Sequence, residues 1–407
     1  MQTVKLFNPS REAVLVCRPN RFLIIARDGE EELRCHCPNP GRMTEFMVPG
    51  TRLILEKRAK GTAKTEWTAA GLWYRGEAVP LAASRANDAA EALLLARVIP
   101  GLSEVRREFS LGASRFDFLC IGGRGRRHLV EVKACSLVEY GTAMFPDAPS
   151  IRAVKHLKEL AALNGGDYVR HILFVITHGR PERFVPNLHT DPDFAATLSR
   201  LGKAPGRRDR TDAAGGAGCV YVHAFPVECA GDGTAALVQG ETPVDLSHGA
   251  LAEGDGGNYL LVIEMPESRE IPAGSLGVLQ FRQGWYVYAG SARKNLSRRV
   301  RRHLRKVRKR KHWHVDYITP YAGTIRALPI LSYRNLECAL AADLERLGGR
   351  PVPGFGCSDC RNGCGSHLFH FEEDPLGNRA FTDTLFRYRH VEGLRGEQPG
   401  PGLAGSC

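Results

Sequence analysis

The sequence lacks any run of about 18 apolar residues, the length that a helix needs to cross a bilayer. Residues 1–11 also lack the apolar stretch of a secretory signal peptide. We therefore expect a cytoplasmic protein that does not enter a membrane. In that compartment the 12 cysteines should be thiols or metal ligands, because structural disulfides are rare there.

Extremes of composition are also absent. With 43% hydrophobic and 25% charged residues, the 407-residue chain falls in the ordinary range of soluble globular proteins, which excludes wholesale disorder. At about 150 residues per domain, this length predicts two or three domains.

Acidic residues are missing from one segment, residues 291–312, which holds 12 of the 56 Lys and Arg. The other 44 basic residues equal the 44 Asp and Glu, so this segment carries the whole net charge of +12. A concentrated basic patch points to a polyanionic partner such as nucleic acid or an anionic membrane surface. A solvated basic helix that only keeps the protein soluble is the alternative.

Short β-rich runs separated by turns fill the first part of the chain. Residues 12–18 and 21–27 flank Pro19-Asn20 and predict a hairpin, and residues 48–57 and 65–72 continue the pattern. Short strands at this spacing suit a small barrel.

The pattern changes near residue 84, where strands begin to alternate with helices, as in α/β domains. Two helices and four strands are predicted, at 87–99, 151–163, 116–121, 128–132, 170–177 and 220–227. Residues 202–218, rich in Gly, Ala and Arg, predict a mobile insertion. Residues 230–256, rich in Gly, Asp and Glu, predict a linker, and strand 259–264 begins a second α/β unit.

Two carboxylates and a lysine fall on neighbouring predicted strands. Asp117 lies on the first, and the next reads Val-Glu-Val-Lys at 130–133. Because side chains alternate along a strand, Glu131 and Lys133 should share one face. Carboxylates can bind Mg²⁺ through oxygen, and the lysine can orient water or stabilise phosphate charge. Glu-x-Lys also occurs by chance on exposed strands, so the spacing alone leaves a structural role open.

Five ordered blocks extend this pattern over residues 1–230. They are HCPNPGRM from His36, SRFDFL from Ser114, VEVK from Val130, FPDA from Phe145 and KHLKEL from Lys155. Taken in order, they resemble the sugar fermentation stimulation protein A family. The resemblance implies an N-terminal OB-like barrel, a domain similar to PD-(D/E)XK nucleases, and DNA binding.

The same resemblance assigns roles to individual residues. It implies that Asp117, Glu131 and Lys133 fill nuclease-type positions, with Glu91 on the upstream helix as a further carboxylate for Mg²⁺ or Mn²⁺. In the FPDA block and the helix that follows, Asp147 and Arg152 would support the site.

A second set of reactive side chains follows in the C-terminal unit. Tyr259 and Tyr288 lie on predicted strands, Arg299 and His303 share one helical face, and Glu337 opens another helix. Such groups could cleave a phosphodiester: the carboxylate would bind Mg²⁺, a phenol would deprotonate or orient water, and the arginine would meet the phosphate. Strand tyrosines are otherwise packing residues, which is the structural alternative.

Here too the surrounding blocks are familiar. They are YVYAGSA from Tyr286, RRVRRH from Arg298, HWHVDY from His312, ECALA from Glu337 and GFGCSDC from Gly354. Over about residues 257–372 the chain looks like an uncharacterised prokaryotic family related to GIY-YIG nucleases. The motifs here read GNY and YAG.

This second resemblance also implies residue roles. Tyr259 and Tyr288 would be the two motif tyrosines, Arg299 and His303 would lie on the catalytic helix, and Glu337 would bind the metal.

A third feature is the series Cys357, Cys360, Cys364 and His367, with Cys338 nearby in sequence. Four such side chains could bind Zn²⁺ tetrahedrally, although four ligands within 11 residues would require a tight loop. The alternative is a set of buried thiols and a histidine that faces nucleic acid.

We therefore expect an α/β multidomain protein. Its predicted parts are an OB-like barrel at 1–83, a PD-(D/E)XK-like domain at 84–229, a linker at 230–256, a GIY-YIG-like domain at 257–375 and a tail at 376–407.

The leading hypothesis is a metal-dependent DNA endonuclease with two phosphodiester-cleaving modules. The residues expected to contact DNA are Asn39, Arg42, Arg115, Arg152, Lys155, Arg293, Lys294, Arg298, Arg302 and Arg305. The alternative is a non-catalytic DNA-binding regulator that keeps both folds as binding platforms. RNA is open as a ligand because OB barrels also bind single strands.

Overall fold

The computed structural model describes residues 2–59, 61, 64–112, 114–163, 168–204, 219–307, 310–358, 360 and 362–396. These residues form two compact units, which divide in the chain between Gly249 and Ala250. Most of the predicted insertion, residues 205–218, lies outside the described residues. Within the described part of the chain, no helix is long and apolar enough to cross a membrane.

The first unit begins with a closed five-stranded barrel. In spatial order its strands are Glu31–His36, Leu23–Asp28, Arg11–Asn20, Arg52–Lys57 and Trp67–Tyr74. The first and last of these pair in parallel at Cys35 and Trp67, which closes the barrel. The predicted hairpin around Pro19 is confirmed, and inward side chains such as Leu15 and Ile24 fill the interior.

The barrel continues through the short strand Glu77–Pro80 into a mixed sheet. The sheet order is Val220–Cys229, Val169–Ile176, Arg127–Cys135, Ser114–Ile121 and Glu104–Leu111. The first three strands are parallel and the last two antiparallel.

Helices cover both faces of this sheet. The helices Ile151–Ala162 and Pro192–Leu201 pack on one face through residues such as Leu157 and Phe194. The other face meets a helical segment built from Arg85–Ala89, a π-helical turn at Ala90–Leu94, and Leu95–Val98.

Smaller elements complete the first unit. They are the strands Thr3–Lys5, Leu137–Glu139, Thr142–Phe145, Arg183–Pro186, Gly202–Lys203 and Thr234–Leu237. The helix Gly249–Gly254 begins at the boundary and otherwise belongs to the second unit. The predicted linker 230–256 therefore differs from the structure. The segment contains the strand Thr234–Leu237, which pairs with Val220–Cys229 and with Thr3–Lys5. Ala235 of this strand is buried in the core of the first unit.

The second unit is built around a five-stranded antiparallel sheet. Its strand order is Ile325–Leu331, Gly257–Met265, Gly284–Ala292, Leu368–Phe371 and Arg350–Pro351. A separate hairpin pairs Arg269–Pro272 with Val278–Phe281. The helices are Leu296–Leu304, Val315–Ile318, Glu337–Arg346 and Arg379–His390.

The helix Arg379–His390 lies in the segment predicted as a tail. Asn378 Oδ1 accepts the backbone N–H of Ala380, which caps the helix, and Phe381 and Leu385 enter the core of the second unit. The second unit therefore extends beyond residue 375, where the prediction ended it. The apolar side chains spaced along this helix pack it into the core of that unit.

The basic segment 291–312 contains a shorter helix than its charge pattern indicates. The helix covers Leu296–Leu304 and begins after Asn295, whose φ of 57° is left-handed. It packs through Leu296, Val300 and His303, while its basic side chains cover the remaining faces.

Candidate functional site

The first candidate site lies on two neighbouring strands of the mixed sheet. Asp117 is on one strand, and Glu131 and Lys133 are on the next. Lys133 Nζ donates to Glu131 Oε1, so these side chains share one face, as the alternation predicts. Asp117 Oδ2 accepts the backbone N–H of Val132 at 2.7 Å, which ties the carboxylate to the second strand. We call Asp117, Glu131 and Lys133 the acidic cluster.

A histidine that the sequence analysis missed completes this group. His156, on the helix after the FPDA block, places Nδ1 2.7 Å from Glu131 Oε1. Arg152, one turn earlier, donates from Nε to His156 Nε2 at 3.4 Å. If His156 Nε2 accepts from Arg152, its Nδ1–H donates to Glu131, so the contacts indicate one tautomer. The signal in the sequence was the four-residue spacing, which puts Arg152 and His156 on one helical face.

Burial and charge act differently on the two carboxylates. Burial, and then the charge of Glu131, raise the pKa of Asp117. Burial alone would raise the pKa of Glu131 too, but the charge and hydrogen bonds of Lys133 and His156 outweigh it and lower that pKa. The cluster therefore holds one carboxylate that is stabilised as an anion beside a second that would gain from a nearby cation.

These residues fit a divalent cation of the kind that the resemblance implies. Glu131 is only 4% exposed, and its Oε2 is buried without a hydrogen bond from the described residues. A buried carboxylate oxygen without a partner is costly. Mg²⁺ and Mn²⁺ prefer oxygen ligands of this type.

Glu91, predicted as a further metal ligand, is paired with an arginine in the structure. Its Oε2 accepts from Arg107 Nε at 2.6 Å, on the edge strand of the sheet. Asn87, one turn earlier on the helix, instead donates to Asp117 Oδ1 at 2.9 Å. The helix thus reaches the cluster through an amide, which no carboxylate pattern in the sequence could indicate.

Asp147 joins the FPDA block to the barrel loop that begins at residue 37. Its Oδ2 accepts the backbone N–H of Met43 at 3.3 Å. A Cβ at Gly41 would lie 2.1 Å from the same oxygen, so a larger residue there would displace the Asp147 carboxylate. Asn39 Oδ1 accepts the Gly41 N–H at 2.8 Å, and Arg18 binds the carbonyl oxygens of this loop. The side chain of Asn39 therefore shapes the turn.

Other residues predicted to bind DNA from the first unit are exposed. The side chains of Arg42, Arg115, Arg152 and Lys155 are accessible to a ligand. Arg115 and Lys155 each lie near a glutamate, at 3.2 and 3.5 Å, in ion pairs at the surface that a phosphate can compete with.

The second candidate site is on the sheet of the second unit. Tyr259 and Gly290 are direct partners across two strands, and Leu261 pairs with Tyr288, so both phenols lie on one face. A Cβ at Gly290 would lie 2.4 Å from Tyr259 Cζ, which explains the glycine in the second motif. Both tyrosines are buried, and burial raises the pKa of each well above its usual value.

A series of polar contacts leads from Tyr259 to a histidine and then to an aspartate. Tyr259 Oη is 3.1 Å from His303 Nε2, and His303 Nδ1 is 3.4 Å from Asp316 Oδ1. Burial would raise the pKa of Asp316, but hydrogen bonds from His303, Arg302 and the backbone lower it far below its usual value. Asp316 lies in the HWHVDY block and was not assigned a role from sequence, because a single Asp before apolar residues has no distinctive spacing.

The basic residues of this unit divide into two groups. Arg302 forms a two-pronged ion pair with Asp316, with nitrogen–oxygen distances of 3.1 and 2.7 Å. The guanidinium groups of Arg299 and Arg302 also lie 4.8 and 4.4 Å from the Trp313 ring centre. The exposed basic side chains among the described residues of the segment 291–312 are available to a partner; they are Arg293, Lys294, Arg298, Arg301, Arg305, Arg310 and Lys311. Arg302, predicted to bind DNA, is therefore committed to an internal ion pair.

Glu337 opens the helix Glu337–Arg346, as predicted. Its Oε2 accepts from Ser291 Oγ at 2.6 Å, and its Oε1 is 3.1 Å from His367 Nδ1. One carboxylate suits Mg²⁺, which usually keeps several water ligands. The tyrosines, Arg299, His303 and Glu337 thus come from four separate elements of the second unit.

The cysteines and histidine predicted to bind zinc come together in the structure with one different member. The ligand atoms of Cys338, Cys360, Cys364 and His367 all lie within 4.8 Å of one another. Cys338 takes the place that the sequence analysis gave to Cys357. The start of the helix Glu337–Arg346 brings Cys338 to this loop, which spacing along the chain could not reveal. The described cysteines are all free thiols.

The closed barrel, the mixed sheet and the second α/β unit define a protein of three modules, and family models match each of them. Residues 16–81 match the "SfsA N-terminal OB domain", residues 84–205 the "Sugar fermentation stimulation protein RE domain", and residues 258–388 "Domain of unknown function DUF123". The predicted OB barrel is thereby confirmed. The likeness of the other two modules to nucleases stays a prediction.

Curated relatives agree with these matches. The sugar fermentation stimulation protein homolog of Methanothermobacter thermautotrophicus is 37% identical over 48% of this chain and 82% of its own length. That of Pyrobaculum neutrophilum is 33% identical over 55% and 89%. The chain belongs to the sugar fermentation stimulation protein family. A solved structure, "The structure of Pyrococcus Furiosus SfsA in complex with Ca2+", is 28% identical with a TM-score of 0.48, over 60% of this chain and 99% of that one.

Proposed function

We propose that this protein binds DNA and hydrolyses its phosphodiester bonds with Mg²⁺ or Mn²⁺ at the acidic cluster. The observation that carries the proposal is the buried Glu131 Oε2, which makes no hydrogen bond with the described residues and lies on a sheet face with Lys133. A carboxylate that serves only to pair with Lys133 and His156 would not need to bury its second oxygen.

Each residue of the cluster has a distinct task. Asp117 and Glu131 would hold the cation, which when bound would supply an activated water and offset charge on the phosphate. Asn87 and the Val132 N–H fix Asp117, while His156 fixes Glu131.

Lys133 is the residue that would meet the substrate. Its side chain is 18% exposed and is now paired with Glu131. With a cation held at Glu131, the Lys133 ammonium group would be free to donate to a phosphate oxygen and would stabilise the charge that develops there.

The second unit would supply an independent phosphodiester site. Burial keeps the Tyr259 phenol protonated. The phenol can orient the attacking water, and it can accept the water's proton only as the phenolic proton passes to His303 Nε2. Asp316 would stabilise the imidazolium that results. Arg299, beside the phenol, would bind the phosphate, and Glu337 would hold the cation.

The proposal is tested by incubating supercoiled plasmid and branched DNA with Mg²⁺ or Mn²⁺. We expect Glu131→Gln to abolish cleavage at the first site, while Glu159→Gln, a partly exposed carboxylate on the neighbouring helix that pairs with Lys155, keeps it. For the second site the pair is Glu337→Gln and the exposed Glu345→Gln. Cleavage that survives in the Glu131 and Glu337 double variant would overturn both assignments.

The same assay decides between cleavage and binding alone. DNA binding by the wild type without cleavage under any metal would favour the non-catalytic platform. Competition between DNA and RNA ligands of equal length identifies the preferred nucleic acid.

A further inference from the structure

The thiol cluster of the second unit (Cys338, Cys360, Cys364 and His367) has the shape of a tetrahedral metal site. Cys338 comes from the helix Glu337–Arg346, the other two thiols from the loop before the strand Leu368–Phe371, and the histidine from the residue that precedes that strand. The four ligand atoms lie within 4.8 Å of one another.

The sulfur spacing matches zinc and not a disulfide. Cys338 Sγ and Cys360 Sγ are 3.5 Å apart. A tetrahedral ion with Zn–S bonds of about 2.3 Å separates its sulfurs by about 3.8 Å. A disulfide would need about 2.05 Å. Asn362 Nδ2 also lies 3.2 Å from Cys338 Sγ, where it can support a thiolate.

His367 is a second, independent indication of a ligand. The residue is 3% exposed, and neither ring nitrogen makes a hydrogen bond of good geometry with the described residues. Its Nδ1 faces Glu337 Oε1 at 3.1 Å, which leaves Nε2 for the cluster. Zinc-bound histidines commonly direct their other nitrogen at a carboxylate in this way.

We propose that Cys338, Cys360, Cys364 and His367 bind one Zn²⁺ and that Glu337 orients His367. Three thiolates and one imidazole form a closed structural set that leaves no position for substrate. The ion joins the start of a helix to a loop and a strand of the sheet. Cys357, although it forms a C-x-x-C pair with Cys360, is not a ligand.

The site has a consequence for Glu337 that rests on the proposed function. The carboxylate that would bind Mg²⁺ also contacts a zinc ligand, so zinc fixes its position. Glu337 thereby acts as a positioning residue for His367 in addition to its role toward Mg²⁺.

Zinc content of the full chain tests the site without reference to cleavage. The protein is purified under reducing conditions, and its zinc is measured by inductively coupled plasma mass spectrometry. We expect one zinc per chain for the wild type and for Cys357→Ser, the matched control, and loss of zinc in Cys338→Ser and Cys360→Ser. Circular dichroism shows whether each variant has folded.

Cobalt substitution gives a readout that does not depend on the stability of the variants. The wild type and Cys357→Ser should give the intense visible bands of tetrahedral Co²⁺ with thiolate ligands. Wild type with reduced thiols but neither zinc nor cobalt bands would overturn the proposal, as would zinc that is lost in Cys357→Ser and kept in Cys338→Ser. If zinc is bound but Glu337→Gln leaves cleavage unchanged, the zinc site stands and the proposed nuclease role of Glu337 fails.

Discussion

The substitution Asp316→Asn should strongly destabilise the second unit. Asp316 is fully buried and accepts two hydrogen bonds from Arg302 and one each from the backbone N–H groups of His312 and Trp313, at 2.9 and 3.0 Å. Asparagine removes the charge and replaces one carboxylate oxygen by an amide NH₂, which cannot accept the hydrogen bonds that Arg302 or the backbone N–H groups donate. Breaking a buried ion pair on one side costs about 3–5 kcal/mol.

This cost can be measured as a shift in thermal unfolding. At about 3 °C per kcal/mol for a unit of this size, the midpoint should fall by roughly 10 to 15 °C. Trp313 lies against Arg302, so tryptophan fluorescence follows the same region. The control is Glu372→Gln, whose ion pair with Arg350 is exposed and should be worth less than about 1 kcal/mol. Equal shifts for both variants would refute the reasoning.

Three further predictions follow from packing, protonation and charge. Gly290→Ala should cost about 1–3 kcal/mol and push Tyr259 from His303, since its Cβ would lie 2.4 Å from the phenol ring; an unchanged urea midpoint would contradict this. Burial lowers the pKa of His128 to about 4, so the folded state holds it neutral and loses stability as pH falls from about 6.5 toward 4, by about 2 kcal/mol at pH 5. His128→Gln should reduce that pH dependence in urea titrations, and an unchanged slope would count against it. Arg298→Gln should lower the salt dependence of DNA binding by about 0.9 in a log–log plot, and an unchanged slope would exclude a phosphate contact there.

The sequence predicts an arrangement of residues correctly where they are brought together by the alternation of side chains along a strand. Glu131 and Lys133 share a face because they are two residues apart on a strand, and Tyr259 and Tyr288 meet on one face of a sheet whose strands were both predicted. The spacing of apolar residues also fixed the helices around these sites to within a few residues.

Contacts between distant elements could not be read in the same way. His156 reaches Glu131 from a helix 25 residues away, and Asp316 reaches His303 from a separate turn. Cys338 replaces Cys357 because tertiary packing, and not spacing, brings its sulfur to the loop. The strand Thr234–Leu237 lies in a segment whose Gly, Asp and Glu content predicts a linker, and only its pairing with neighbouring strands makes it part of a sheet.

The most direct test of the central claim is the rate of Mg²⁺-dependent cleavage of DNA in a single turnover, compared between Glu131→Gln and Glu159→Gln. The rates are measured at saturating DNA, because Glu159 pairs with Lys155, a predicted DNA contact, and its substitution can change the affinity. The account predicts that Glu159→Gln cleaves at the wild-type rate and that Glu131→Gln is slower by about 100-fold or more. Equal rates for the two variants would contradict it.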